Sequence, residues 1–301
     1  MNKIIIIAGP TASGKSSLAI EVAKKLNSQI VSSDSMQIYK HMDIGTAKIT
    51  ESEMQNIKHH MIDIVNPDEE YSVSDYANQA KAIIDNLHKE NIIPIVCGGT
   101  GLYIDSLLYP LSLGAKDDSI RQKLQKEYEE FGAEYMHDKL KAIDPKEAQK
   151  VHANNVKRVL RALEIYELTG KTKSEQEDRN KDLCYDTLLI CLNPEREDLY
   201  QRINKRVDEM FEKGLVREVE DLVNDGYKFD LQSMQAIGYK EFQDYISGYK
   251  TLDEVKEEIK KGTRHYAKRQ LTWFKRYDFC KFFDPSDKEN ILKTINEFVG
   301  K

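Results

Sequence analysis

The spacing of apolar residues changes repeatedly along the chain, and the changes lay out its elements. Ile4-Ile5-Ile6-Ile7-Ala8 has no polar alternation, the pattern of a strand buried on both faces. Leu18, Ala19, Val22, Ala23 and Leu26 then recur at helical spacing. Gln29–Ser32 predicts a second strand and His60–Val65 a third, shorter one. From Ser72 to Glu90, Tyr76, Ala80, Ile83, Ile84 and Leu87 share one side of a helix. Ile92–Cys97 is a buried strand, followed by Gly98-Gly99-Thr100-Gly101 and a helix over Leu102–Leu108. Strands alternating with helices predict an α/β fold with a doubly wound parallel sheet, whose ligands lie at the C-terminal strand ends.

The texture changes near Gly114. From there to about Asp182 the pattern is helical and heavily charged, and Asp186–Leu192 then returns as an apolar strand. We therefore expect an all-helical insertion over residues 114–182 in a core made of 1–113 and 183–301. The last third reads as helical again, ending near Phe282.

The loop after the first strand carries the clearest chemistry. Gly9-Pro10-Thr11-Ala12-Ser13-Gly14-Lys15-Ser16 is a complete G-x-x-x-x-G-K-[ST] phosphate loop, with the strand before it and the helix after it that the motif requires. Backbone N–H groups at such a helix start cradle a diphosphate. Lys15 adds a point charge, and the Ser16 hydroxyl suits a magnesium ion. The core is thus expected to be P-loop NTPase-like. Neither Ile92–Cys97 nor Thr187–Leu192 ends in the acid that commonly holds magnesium in P-loop NTPases, which argues against motors and switches but not against small-molecule kinases.

Composition narrows the picture. Of 301 residues, 40% are apolar and 32% charged, as in a soluble globular protein, and no run approaches the roughly 20 apolar residues that cross a bilayer. With the first strand expected to begin at once, no targeting peptide is expected. Four scattered cysteines form no C-x-x-C pair. A cytoplasmic location, reduced thiols and no structural metal are the expectations. The net charge of −6 hides strong polarisation, because Lys256–Lys281 holds nine lysines and arginines against three acids. Lys157, Arg158 and Arg161 form a second basic cluster. Tyr266–Tyr277 interleaves cations with aromatics, which suits RNA phosphates and unstacked bases. It equally suits an amphipathic helix that buries its aromatics. Asp34, nineteen positions after Lys15 at a strand end, fits a cap, a magnesium ligand or a general base.

Six segments in order resemble one family over essentially the whole chain. They are the phosphate loop, Ser-Ser-Asp-Ser-Met-Gln-Ile-Tyr at 32–39, Asp-Ile-Gly-Thr-Ala-Lys at 43–48, Gly-Gly-Thr-Gly-Leu-Tyr at 98–103, Gln-Ala-Ile-Gly-Tyr-Lys at 235–240 and Lys-Arg-Gln-Leu-Thr-Trp-Phe-Lys at 268–275. The chain resembles the bacterial tRNA dimethylallyltransferases, also called tRNA isopentenyltransferases. That resemblance implies dimethylallyl diphosphate in the P-loop and, as acceptor, the adenosine 3′ of the anticodon in tRNAs reading U-initial codons. It implies Asp34 as general base, with Lys15, Thr100 and Arg206 on the leaving diphosphate and a magnesium ion at Ser16. The implied tRNA contacts are Asp34, Ser35, Met36 and Gln37, then Arg121, Lys157, Arg158 and Arg161 on the insertion around the anticodon stem. Gln235, Gly238 and Lys240, and Lys268, Arg269, Gln270, Trp273 and Lys275, complete the set. A monomer is implied. Ser16 stands where many relatives have threonine. The rival readings are an adenylate prenyltransferase acting on AMP or ATP, a small-molecule kinase and a non-catalytic RNA-binding protein.

Overall fold

A computed structural model describes residues 2–110, 117–175 and 182–300. The chain divides into two units, one of Met1–Leu108 with Cys184–Lys301 and one of Tyr109–Leu183. The expected boundary at 113/114 lies outside the described residues.

The first unit is built on six parallel strands: β1 (Lys3–Ala8), β2 (Ile30–Ser32), β3 (His59–His60), β4 (Ile95–Gly98), β5 (Asp186–Leu192) and β6 (Lys281–Phe283). Their order is β3-β2-β4-β1-β5-β6, with Ile5 opposite both Ile95 and Leu188. Central β1 explains the isoleucine run, since Ile4–Ile7 are all fully buried. Each such side chain contributes roughly 1.5–3 kcal/mol of burial. Ile5 and Ile7 join Leu18, Ala19, Val22 and Ala23 of helix α1 (Lys15–Leu26) in one apolar cluster.

Three sequence expectations change. The third strand does not run over His60–Val65: left-handed φ angles at Met61 (64°) and Asp63 (54°) end β3 at His60, and Val65 makes only an isolated bridge to Tyr39. The strand expected from Ile92 starts at Ile95, because Pro94 has no N–H to give the ladder; its carbonyl instead accepts from Ile5 N at 3.1 Å. The chain after Phe274 is not helical to Phe282. It turns into β6, which pairs with β5, and then into a helix over Lys288–Val299 whose Ile291 and Ile295 enter the β1 cluster. Three residues, one of them a lysine and all at the end of a basic run, carry no periodicity that reveals a strand.

Between the strands lie α2 (Glu51–Met54), α3 (Val73–Lys89) and α4 (Gly101–Leu108). Thr50 and Ser72 cap α2 and α3 with reciprocal capping boxes to Glu53 and Asp75. The second unit holds α5 (Asp118–Ile143), α6 (Pro145–Lys150) and α7 (Val156–Thr169). It has its own core of Leu124, Met136, Leu140, Val159, Ala162 and Leu163. Gly132, at φ 82°, kinks α5. After β5 come α8 (Arg196–Glu212), α9 (Leu215–Asn224), α10 (Phe242–Ile246), α11 (Leu252–Phe274) and, after β6, α12 (Lys288–Val299). Among the described residues no helix is long and apolar enough to cross a membrane.

Candidate active site

The site grows from the C-terminal ends of β1, β2 and β4. Gly9 leaves β1 at φ 139° with its Cα against β5; a Cβ there would stand 2.7 Å from Leu192 O. Gly14 caps α1 at φ 90°. Both glycines let the loop turn tightly enough to bring Lys15 and Ser16 to the head of α1. The half-buried Lys15 ammonium donates to Pro10 O at 2.5 Å. Burial, before any other cause, lowers its pKa from 10.5 to about 8; Arg206 pushes it down further, while Cys97 and Asp34 pull it up.

Asp34 stands one residue beyond β2, after Ser33. Its Oδ1 accepts from Met36 N at 2.9 Å and Gln37 N at 3.3 Å, an Asx turn that fixes the carboxylate. Thr100, at the end of β4, holds the same segment: its Oγ1 accepts from Ser35 N at 3.1 Å and lies 3.3 Å from Ser35 Oγ. The structure thus places the Thr100 hydroxyl on the Asp34 loop. Gly98 makes the closeness possible, since a Cβ there would meet Ser33 O at 2.4 Å. Arg206, from α8, reaches over the phosphate loop to Thr11 Oγ1 (3.2 Å) and Ala47 O (3.3 Å). Burial lowers its pKa, and Asp34 opposes that shift.

Lys15, Asp34 and Arg206 open onto a cavity of about 380 Å³, whose walls also hold Ser16, Met36 and Tyr266. A second cavity of about 640 Å³ lies against Gly14, Ser17, Ile20 and Ile49. The two share Lys15, Ser16, Ala47 and Arg206. An anion at that junction would face both cations.

Helix α11 supplies the opposite wall, and it has two faces. Lys268, Arg269 and Lys275 are exposed, while Ala267, Gln270 and Phe274 are buried. Gln270 was expected among the RNA contacts; the structure buries it, with Oε1 accepting from Thr11 N (3.0 Å) and Nε2 donating to Gly99 O (3.0 Å). It ties the helix to the phosphate loop and to the β4 end, and leaving one of those buried groups without a partner costs about 1–3 kcal/mol. Trp273 packs on Gly101, where a Cβ would come within 2.2 Å of the indole, and its Nε1 donates to Tyr277 Oη at 3.3 Å. Gln37 spends its amide on Thr46 O and Ala47 O, both at 3.3 Å. Gln235 and Lys240 are exposed and reach the first cavity, whereas Gly238, at φ 99°, is buried. In the second unit Arg121, Lys157 and Arg158 are exposed, and Arg161 pairs with Glu164 at 2.9 Å.

Tyr266 was not singled out from sequence. Its ring lies under the Arg269 guanidinium, 5.6 Å from centroid to Cζ, and it lines the first cavity beside Asp34. Burial, then the neighbouring Asp34 carboxylate, pushes the phenol up to about 12, so it stays a neutral donor. The available signal was its place in the basic aromatic stretch.

A parallel sheet with a phosphate loop on its central strand, an arginine lid and an inserted helical unit defines a P-loop-like protein. Residues 37–277 match the IPP transferase family, and the chain belongs to it. It is 50% identical to the tRNA dimethylallyltransferase of Caldanaerobacter subterraneus subsp. tengcongensis, over 99% of this chain and 98% of that protein. The tRNA dimethylallyltransferase of Clostridioides difficile is 48% identical over 98% of this chain and 96% of its own. The crystal structure of the tRNA isopentenylpyrophosphate transferase of Bacillus halodurans covers the whole chain and 96% of its own, with TM-score 0.75 and 42% identity. A eukaryotic dimethylallyltransferase acting on tRNA gives TM-score 0.83 at 33% identity, over 96% of this chain and 75% of that one.

Proposed function

We propose that the protein transfers a dimethylallyl group from dimethylallyl diphosphate to the exocyclic amine of the adenosine 3′ of the anticodon, in tRNAs reading U-initial codons. The observation that carries this reading is one cavity with two cations at one end, Lys15 and Arg206, and the Asp34 carboxylate on its wall. The family membership points the same way.

In this reading the amine nitrogen attacks the allylic carbon, the carbon–oxygen bond breaks, and diphosphate departs. The leaving oxygens gain negative charge, which Lys15, Arg206 and the loop amides stabilise in a site fixed beforehand. The amine gives up its proton as the new bond forms, and Asp34 accepts it. The adenine must leave the base stack to reach the cavity. Tyr266 and Met36 are its wall there.

The site also fits a magnesium ion. Ser16 is exposed at the head of α1 and lines both cavities, its hydroxyl makes none of the described side-chain hydrogen bonds, and magnesium commonly takes one or two protein oxygens with substrate phosphate oxygens and water. When bound there it supplies further charge neutralisation of the diphosphate.

The test combines protein, magnesium, dimethylallyl diphosphate and an unmodified anticodon stem-loop with adenosines after the anticodon. AMP and ATP serve as competing acceptors, and the digested RNA is read by mass spectrometry. The expected product is a dimethylallyl adduct on the adenosine beside the anticodon. An adduct on AMP alone would move the protein to the adenylate prenyltransferases, and ATP consumption without any adduct would make it a kinase.

For the RNA face, Lys268→Ala and Arg269→Ala are each expected to weaken stem-loop binding and to lower the slope of log K against log salt by about 0.7–0.9. Fluorescence titration between 50 and 200 mM salt, roughly the range in which such contacts dominate, reads this out. An unchanged slope would remove Lys268 and Arg269 from the phosphate contacts.

A further inference from the structure

The loop Asp43–Lys48 forms a wall of both cavities, yet it belongs to no helix or strand. Its last turn is unfavourable: Ala47 sits at φ 47°, the left-handed region, which a residue with a Cβ keeps only where its surroundings hold it. What the conformation achieves is the direction of one carbonyl. Ala47 O accepts from Arg206 at 3.3 Å and, among the described residues, anchors that guanidinium together with Thr11 Oγ1.

A single carboxylate outside the cavity holds the start of this loop. Glu218 on α9 accepts from Asp43 N (2.9 Å) and Ile44 N (2.7 Å) at Oε2, and from Gly45 N (3.0 Å) and Tyr239 Oη (2.7 Å) at Oε1. Three successive backbone N–H groups converging on one side chain make a fixed anion nest, occupied from within the protein. Tyr239 closes it from the far side. A Cβ on Gly45 would lie 2.5 Å from the tyrosine ring, so the loop backbone is pressed against the phenol. Lys48 fastens the other end through Tyr39 O (2.7 Å) and Asp43 Oδ1 (2.6 Å).

We infer that Glu218 is a positioning residue for the diphosphate site: it clamps Asp43–Gly45 so that the Ala47 carbonyl holds Arg206 over the phosphate loop. The inference rests on the proposed dimethylallyl transfer and assigns Glu218 no contact with substrate. The carboxylate is required, because four donors need four acceptor positions. A glutamine of the same shape turns an NH2 towards donors whichever way it flips.

A double-mutant cycle on kcat/KM for dimethylallyl diphosphate tests the inference. Wild-type turnover is measured first; its absence would overturn the function reading and the inference together. With turnover present, Arg206→Ala is expected to lower kcat/KM by about 10²–10³-fold, the loss of one charge-stabilising donor. Glu218→Gln is expected to lower it about 10–10²-fold, several times the factor of one neutral hydrogen bond. The double variant is expected to match Arg206→Ala within about twofold, since Glu218 acts through the arginine. Losses that multiply would show that Glu218 acts independently of Arg206 and would overturn the inference while leaving the function reading intact. Tyr239→Phe removes one of the four bonds and keeps the ring against Gly45. If Glu218→Gln does not fold, it carries the same cycle with an expected loss of about two- to tenfold.

Discussion

Asp34→Asn should lower kcat for dimethylallyl transfer by about 10²–10⁴-fold, the usual contribution of a positioned general base, with dimethylallyl diphosphate binding nearly unchanged. The asparagine keeps an Oδ1 that can accept from Met36 N and Gln37 N, so the Asx turn that shapes the segment survives. What it loses is the second carboxylate oxygen, which none of the described hydrogen bonds uses. An amide nitrogen there cannot take a proton. Asp34→Ala removes the turn as well, so any further loss beyond Asn measures the turn rather than the base. Single-turnover rates and equilibrium binding of dimethylallyl diphosphate separate the outcomes. If binding falls as far as the rate, Asp34 is a ligand of the magnesium–diphosphate complex and the base must be sought elsewhere on the cavity wall.

Much of this site was legible because its parts are local. The phosphate loop is eight consecutive residues between a strand and a helix, and Asp34 and Thr100 each stand one residue beyond strands whose apolar runs announce them. Since the sheet is parallel, those strand ends had to converge. The braces between them are of another kind. Gln270 meets Thr11 across 259 positions, and Glu218 meets Gly45 across 173. No periodicity carries such a contact. Each residue also reads as something plainer: a polar member of a cationic helix in one case, an acid on a surface helix in the other. The two readings of the basic aromatic stretch prove compatible once the helix is seen from both sides. Ala267, Gln270 and Phe274 face the core, while Lys268, Arg269 and Lys275 stay in solvent. The β6 strand was hidden for a related reason, because Lys281-Phe282-Phe283 extends the composition of the helix before it.

The second large effect belongs to Lys15. Its lowered pKa, about 8, arises first from burial, so without ligand the ammonium is favoured by only about one pK unit at pH 7. In the unfolded chain the lysine keeps its ordinary 10.5, and between the two values the unfolded state binds more protons. From this group, then, the stability of the empty protein rises as pH climbs from about 8 towards 10.5. Ligand binding runs the other way. A diphosphate beside Lys15 favours the charged form and draws the pKa back up, so binding takes up a proton wherever the free site has lost it. The Lys15 contribution to dimethylallyl diphosphate affinity should be flat below about pH 8 and fall by up to about tenfold per pH unit above it, one pKa unit being worth about 1.4 kcal/mol. Lys15→Met should lower kcat/KM at pH 7 by about 10²–10³-fold, as for other charge-stabilising donors, and should abolish the bend. Titration calorimetry in two buffers of different ionisation enthalpy reports the proton uptake directly. Wild-type affinity that stays level through pH 9, roughly one unit above the lysine, would mean that Lys15 remains charged in the empty site and that its burial is relieved there by water.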